Sequence, residues 1–349
     1  MGQLVRLEAP RQVAIVDYDD PPLEADGVRI ATLLSGISAG TELTSYAGTN
    51  PHTRKQWDGE RRMFVDGERT QAYPIDNWGY EEVGRVVEVG PQAAGVDVGD
   101  LVCGSWGHRS MHVASTEWAT ARLMPPGADP LIGVFSRIGA IALNAVHDAA
   151  PRVGDVVAVF GQGVPGLLVT QLLRIAGATV VAVDAIPRRL GLARQFGADH
   201  VVDFTAVSAA ETIKDLTAGR GADVAIEISG SYRALQEAIR STAYNSSVVV
   251  SGFLQGGAAD LFLGEEFHHN RIDLVCSQIS GTNPDLDHRW NGQRLERTVV
   301  GLAAAGRLDV ASLVTHTFPA AEAAAAFAML AESPADAIQV VLDFAGEPQ

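Results

Sequence analysis

Residues 156–185, VVAVFGQGVPGLLVTQLLRIAGATVVAVDA, constrain the fold more than any other part of the chain. Val156, Val157, Val159 and Phe160 form a short, β-prone apolar run. Gly161, Gly163 and Gly166 follow in G-x-G-x-x-G spacing. Pro165 suits the first turn of a helix, where its missing N–H leaves no bond unmade. Leu167 to Ile175 continue as a buried helix that Gly177 can cap. Val180, Val181 and Val183 form the next strand, and Asp184 sits at its end. The order is strand, glycine turn, helix, strand, acidic residue.

Each part has a physical task. Gly161 permits a tight turn, Gly163 lets the backbone approach a pyrophosphate, and Gly166 lets helix and strand pack closely. The helix N-terminus at Val164 and Pro165 offers unpaired N–H groups to phosphate. Asp184 can accept hydrogen bonds from both hydroxyls of an adenosine ribose and would repel a 2′-phosphate. NAD is therefore favoured over NADP as the cofactor. A glycine turn in an ordinary α/β unit and a methyltransferase-type nucleotide pocket are the alternative readings.

At 349 residues the chain is long enough for two domains. Hydrophobic residues make up 47% and charged residues 19%, which supports a large core and argues against disorder. A net charge of −16 argues against nucleic acid and anionic membrane as partners. Cys103 and Cys276 are too few for a disulfide framework. With no apolar run of membrane-spanning length and no signal-peptide pattern, a cytoplasmic protein acting on a small-molecule substrate is expected.

Residues 1–125 are β-rich, with strands expected at 12–16, 27–34, 83–89, 100–103 and 110–114. Segment 46–78 has the irregular character of a loop layer, and Pro125-Pro126-Gly127 marks a boundary. A helix is expected over 131–149. Strands then alternate with helices: 156–160, 180–183, 200–202, 224–228, 247–251 and 272–276. Helices are expected over 188–196, 206–218 and 232–241, so the sheet is parallel and doubly wound. Residues 277–349 leave this pattern, with helices near 292–305 and 320–332 and a last strand at 338–344.

Three stretches carry a family resemblance: SGISAGTEL at 35–43, GYEEVGRVVEVG at 79–90, and the nucleotide motif at 161–184. RRLGLARQFGAD at 188–199 adds a fourth. Over almost its whole length the chain resembles the medium-chain dehydrogenase/reductase superfamily, the alcohol dehydrogenase relatives. The resemblance implies an α/β fold of two domains: a GroES-like β-rich catalytic domain plus a Rossmann domain with a doubly wound parallel sheet. The first part of the catalytic domain would span 1–130, the NAD-binding Rossmann domain 131–276, and the return to the catalytic domain 277–349. It also implies a homodimer or homotetramer.

The chain departs from the zinc-binding members of that superfamily. Their G-I-C-G-T-D motif reads here Gly36-Ile37-Ser38-Ala39-Gly40-Thr41-Glu42, one residue longer. The ligand Cys is thus replaced by Ser38 or Ala39, depending on where the gap falls. The G-H-E motif reads Gly79-Tyr80-Glu81, so a phenol replaces the ligand His. Zinc favours thiolate, imidazole or carboxylate, and neither catalytic nor structural zinc is expected. His108 and His112, four apart on an expected strand, would lie roughly 13 Å apart, too far to chelate together. His268 and His269 would point to opposite faces of a strand. The nearest pattern is the zinc-less branch that includes bacteriochlorophyllide a dehydrogenase, which shares S-G-I-S-x-G-T-E and the Y-P…G-Y-E pair of motifs.

That resemblance implies interconversion of a secondary alcohol and a ketone. The charged loop 51–72 favours a polar substrate such as a sugar or cyclitol derivative over a flat macrocycle. Without a metal, some side chain must hydrogen-bond the substrate oxygen as charge develops on it. Thr41 is the family-motif hydroxyl able to relay a proton. Tyr80 either points its OH at the vacated metal position or plugs it. Glu42 is open between a buried hydrogen-bonding role and proton relay, and His108 between a base and an ordinary satisfied histidine. Glu81 is expected to accept from nearby backbone or Arg groups. On the cofactor side, Arg189 matches the family position that touches the adenosine ribose. Ser229, Gly252 and Phe253 lie at strand ends that face the cofactor crevice in this fold. An NADPH-dependent quinone or enone reductase and a non-catalytic dinucleotide-binding protein are the rival functions.

Overall fold

The structure, a computed structural model, describes residues 2–346. The chain forms two compact units: one made of residues up to Arg137 together with those from Ala311 on, the other Ile138–Val310.

The first unit opens on an antiparallel hairpin. The alternating N-terminal segment is two strands rather than one, β1 (Gly2–Ala9) and β2 (Gln12–Tyr18), with Gly2 opposite Tyr18 and Ala9 opposite Gln12. The spine of the larger sheet is β3 (Gly27–Ile37), which runs directly into helix α1 (Ala39–Tyr46). Segment 46–78 is less irregular than its composition suggests, because it holds a small hairpin of β4 (Gln56–Asp58) and β5 (Met63–Val65). Then come β6 (Glu81–Val89), β7 (Leu101–Gly104), β8 (Met111–Ser115) and two short helices, α2 (Thr116–Thr120) and α3 (Leu131–Val134). β6 pairs along one edge of β3, with Ser35 opposite Glu82 and Gly36 opposite Glu81. β8 pairs with the first half of the other edge.

The second unit begins near the start of α4 (Ser136–Ala149). The helix expected over 131–149 is broken at Phe135, where the backbone leaves helical geometry. Six strands and four helices then follow: β9 (Val156–Phe160), α5 (Val164–Ala176), β10 (Thr179–Asp184), α6 (Pro187–Gln195), β11 (His200–Asp203), α7 (Ala209–Leu216), β12 (Ala222–Glu227), α8 (Tyr232–Ser241), β13 (Thr242–Val250) and β14 (Asp273–Cys276). All pairings are parallel, in the order β11-β10-β9-β12-β13-β14. This is the doubly wound Rossmann arrangement, with the strand order reversing between β9 and β12. Gly177 ends α5 in the left-handed conformation and donates to Arg174 O, as a C-terminal glycine does.

Residues 277–310 stay with this unit instead of leaving it at 276. The Asn144 amide on α4 donates to Ser277 Oγ and Gly281 O, each at 3.3 Å. The Gln171 side chain on α5 bonds both backbone groups of Asp309. Helix α9 (Gly292–Ala304) packs Val299 against Gly139, where a β-carbon would be 2.3 Å from Val299 in the absence of glycine's small size. These polar and apolar links come from side chains far apart in sequence. The chain then re-enters the first unit through β15 (Val314–Pro319), α10 (Ala323–Glu332) and β16 (Gln339–Asp343). β16 completes the second edge of β3, with Val340 opposite Ile37.

His268 and His269 are not on a strand. They lie in a helical turn ahead of β14, and their rings meet edge to face at 5.3 Å. No helix among the described residues is long and apolar enough to cross a membrane.

Candidate active site

In the second unit, the reversal of strand order brings the ends of β9 and β12 together, with Phe160 opposite Glu227. Gly161 leaves β9 at φ 100°, and a β-carbon there would lie 2.7 Å from that of Ser229. Only glycine is comfortable in that backbone region and in that space. Gly163 then caps α5, with Val164 first in the helix and Pro165 in its first turn. Their arrangement leaves the helix N-terminus unpaired by any side-chain cap, as a phosphate site requires. Gly166 packs directly over the Gly161 carbonyl.

Asp184 ends β10 and is buried. One carboxylate oxygen accepts from Gln162 N–H at 2.6 Å and the other from Ile186 N–H at 2.8 Å. It therefore ties the glycine turn to the start of α6, which carries Arg189. Each oxygen keeps acceptor capacity for a further hydroxyl. At the end of β12, one Glu227 oxygen accepts from Ser229 N–H, Gly230 N–H and the Ser229 hydroxyl. Gly252 packs against Gly230 and Glu227, and Phe253 beyond it is exposed. These groups suit a dinucleotide: glycine backbone and a helix N-terminus for phosphate, a carboxylate for ribose.

A second polar cluster lies in the first unit. It gathers the end of β3, the start of α1, the start of β6, the loop before β8 and the start of β16. Ser38 is the N-cap of α1, yet its hydroxyl makes no cap bond. It hydrogen-bonds the Tyr80 hydroxyl instead. Tyr80 also reaches Thr41 Oγ1 at 3.3 Å. Three hydroxyls thus converge. Burial, and then the neighbouring Glu81, push the Tyr80 phenol above its ordinary pKa, so it stays protonated.

Behind them, Glu42 reaches back to Ser38 N–H at 2.8 Å. This resembles a capping box, set one position later in the helix. The other Glu42 oxygen lies 2.7 Å from His108 Nε2. His108 Nδ1 is 2.7 Å from Ser35 Oγ, which donates to Glu82 at 3.1 Å. Glu82 also accepts from Trp106 N–H at 2.7 Å. Gly79, at φ 91°, leaves room for the His108 ring, which a β-carbon would meet at 2.7 Å. Glu42, Glu81, Glu82 and His108 are all buried. Burial alone would lower the His108 pKa, but Glu42 and Glu82 outweigh it and raise it. Burial pushes Glu82 up to about 7, with His108 pulling the other way.

His108 is therefore a buried, fully partnered residue of a loop, not a strand residue. His112, on β8, stacks flat on Trp106 and is lowered to about 4 by burial and Arg109. Glu81 departs from expectation in its partners. One of its oxygens accepts from the Gln339 amide at 3.2 Å, no arginine faces it, and the other has no hydrogen-bond partner among the described residues. Ser35, Glu82 and Gln339 join the cluster without having been singled out in the sequence.

The structure distinguishes the two candidate residues at the position of the family cysteine. Ser38, not Ala39, stands against Tyr80. Ser38 and Tyr80, which the motif resemblance sets against a ligand Cys and His, are hydroxyls bonded to each other. Neutral hydroxyls do not fit zinc's ligand preference. Among the described residues, no group of three or more His, Cys, Asp and Glu side chains is arranged to hold a metal ion.

A family model described as zinc-binding dehydrogenase matches residues 165–290, wholly within the nucleotide unit. The D-guloside 3-dehydrogenase of Escherichia coli (strain K12) is 35% identical over 314 residues, covering 88% of this chain and 89% of that protein. The chain belongs to the medium-chain dehydrogenase/reductase superfamily. The (R,R)-butanediol dehydrogenase of Bacillus subtilis (strain 168) is 29% identical over 304 residues, covering 78% of this chain and 81% of its own. Among solved structures, an Escherichia coli oxidoreductase/dehydrogenase of unknown specificity superposes with a TM-score of 0.80 at 19% identity, covering 98% of this chain and 99% of that one. Superfamily membership explains why the chain pairs a β-rich unit carrying the hydroxyl cluster with a Rossmann unit carrying the glycine turn.

Proposed function

We propose that this chain is a metal-independent, NAD-dependent dehydrogenase that interconverts a secondary alcohol and a ketone on a sugar or cyclitol derivative. The observation that carries the mechanism is the convergence of the Ser38, Tyr80 and Thr41 hydroxyls where relatives keep zinc ligands. The substrate class draws support from the relative named as a D-guloside 3-dehydrogenase, similar over most of both chains.

NAD supplies the hydride acceptor. The α5 N-terminus and the backbone around Gly161 and Gly163 would hold its phosphates, and Asp184 would accept from its ribose hydroxyls. Tyr80 and Thr41 hydrogen-bond the substrate oxygen and hold it as negative charge develops there. A neutral phenol suits this role, because its raised pKa keeps a proton available to donate. The Glu42–His108 pair fixes Ser38 and the first turn of α1, and so the spacing of the three hydroxyls.

Absorbance of reduced nicotinamide tests this, with NAD or NADP offered against a panel of glycosides, polyols and cyclitols. Turnover of a glycoside with NAD is expected. Turnover with NADP alone overturns the cofactor choice. Tight NAD binding without turnover of any alcohol overturns the enzyme reading.

A further inference from the structure

Tyr80, Ser38 and Thr41 can pass a proton along, but none can keep one: a hydroxyl near neutral pH starts and ends a turnover protonated. Oxidising an alcohol releases one proton, so a group that changes charge must lie next to them. Three buried carboxyls are close. Glu42 is saturated by Ser38 N–H and His108, and Glu82 by Trp106 N–H and the Ser35 hydroxyl. These donors already occupy both groups.

Glu81 differs. It is fully buried, directly follows Tyr80, and has one oxygen with no partner among the described residues. Its other oxygen accepts from the neutral Gln339 amide. Gly36 lets it lie against β3, since a β-carbon there would be 2.5 Å from that same oxygen. The Ser38 hydroxyl acts on the Glu81 carboxyl and favours its ionised form. That same hydroxyl is the one bonded to the Tyr80 hydroxyl. Burial first, then the charges of Glu42 and Glu82, raise Glu81 well above the usual carboxylate range. The His108 imidazole is engaged by Glu42 and Ser35, not by Glu81.

We propose that Glu81 is the proton acceptor for alcohol oxidation, reached through the hydroxyls of Tyr80 and Ser38. The inference rests on the dehydrogenase reading above. The substrate C–H bond delivers a hydride, with its electron pair, to NAD, and the C=O bond forms. The alcohol proton moves to Tyr80 Oη, the Tyr80 proton to Ser38 Oγ, and the Ser38 proton to the Glu81 carboxylate. The net result is one ketone, one NADH and one neutral Glu81, which returns its proton by the same hydroxyls. Ketone reduction runs the path backwards, with Glu81 as the proton source. Glu81 thus stores the proton that a metal site would otherwise have lost directly from a bound alcohol.

The test measures pH profiles of kcat and KM in both directions for the wild type, Glu81→Gln and Ser38→Ala. For the wild type, oxidation rises with pH through an inflection above the ordinary carboxylate range, because Glu81 must be ionised to accept. Reduction falls through the same inflection. Glu81→Gln keeps the shape and the bond to Gln339; it lowers kcat by about 10²–10⁴-fold and removes the inflection. Ser38→Ala lowers kcat with KM little changed, while leaving the carboxyl in place. In the ligand-free protein, infrared spectroscopy shows a neutral carboxylic acid band whose component titrating with that inflection is lost from Glu81→Gln, while any Glu82 component remains and is removed by Glu82→Gln. Turnover by Glu81→Gln within about threefold of wild type, or with the inflection retained, overturns the proposal and leaves the dehydrogenase reading standing. A wild type that oxidises no alcohol overturns that reading, and this inference with it.

Discussion

Replacing Glu42 by Leu isolates the buried Glu42–His108 pair. The substitution leaves two donors, Ser38 N–H and the His108 Nε2 side, facing an apolar group in a site closed to water. Each buried donor left unmade costs about 1–3 kcal/mol. Extra apolar burial by the leucine offsets up to about 2 kcal/mol. A net loss of about 3 kcal/mol is expected, in line with removing one partner of a buried ion pair. Urea unfolding at neutral pH measures it, followed by tryptophan fluorescence. Trp57, Trp78, Trp106 and Trp118 all lie in the first unit, and the Trp78 ring meets His108 edge to face at 5.7 Å. The double variant with His108→Leu removes both partners, so it costs less than the sum of the singles, with coupling of about 1–3 kcal/mol. A loss below about 1 kcal/mol, or strict additivity, refutes a tightly coupled buried pair.

Three further outcomes are expected. Glu82 titrates at about 7 in the folded chain against an ordinary value of 4.5. Its folded pKa is raised, so the folded state binds more protons across that window. Stability then falls as pH rises from about 5 to 8, by on the order of 1–3 kcal/mol, and Glu82→Gln flattens the slope in pH-dependent urea melts; an unchanged slope refutes it. Gly166→Ala places a methyl group on the Gly161 carbonyl and forces α5 away from the turn, weakening NAD binding by at least about tenfold, or 1.4 kcal/mol, in calorimetry; wild-type affinity contradicts the close approach. Asp184→Asn removes the charge that would repel a 2′-phosphate and shifts the NADP-to-NAD affinity ratio upward by about tenfold; an unchanged ratio means that Asp184 does not select the cofactor.

The Rossmann unit was legible because its signal is local. The strand, the three glycines, the helix and Asp184 sit within thirty consecutive residues, and alternating strands and helices fix a parallel sheet. The hydroxyl cluster was only half legible. Thr41, Glu42 and Tyr80 stood out through motif positions and His108 as an imidazole of the first domain, but their pairing did not. Glu42 and His108 lie 66 residues apart, and Gln339 meets Glu81 across 258. Such contacts are set by how β3 is flanked by β6 and β16, which spacing along the chain does not encode. Glu81 and Glu82 were harder still. Alternation on a half-buried strand would expose one of two adjacent glutamates, yet the first four residues of β6 are buried on both faces. The end of the nucleotide unit at Val310 was hidden for a similar reason: Asn144, Asn283 and Gln171 hold residues 277–310 by hydrogen bonds that leave no periodic pattern.

Metal content measured against activity tests most directly whether hydroxyls do here what zinc does in relatives. Purified enzyme turning over its alcohol should hold zinc far below one atom per chain, and should keep its rate after dialysis against a strong chelator. Zinc near one atom per chain, with activity lost on chelation and restored by zinc alone, would contradict the assignment of substrate activation to Tyr80 and Thr41.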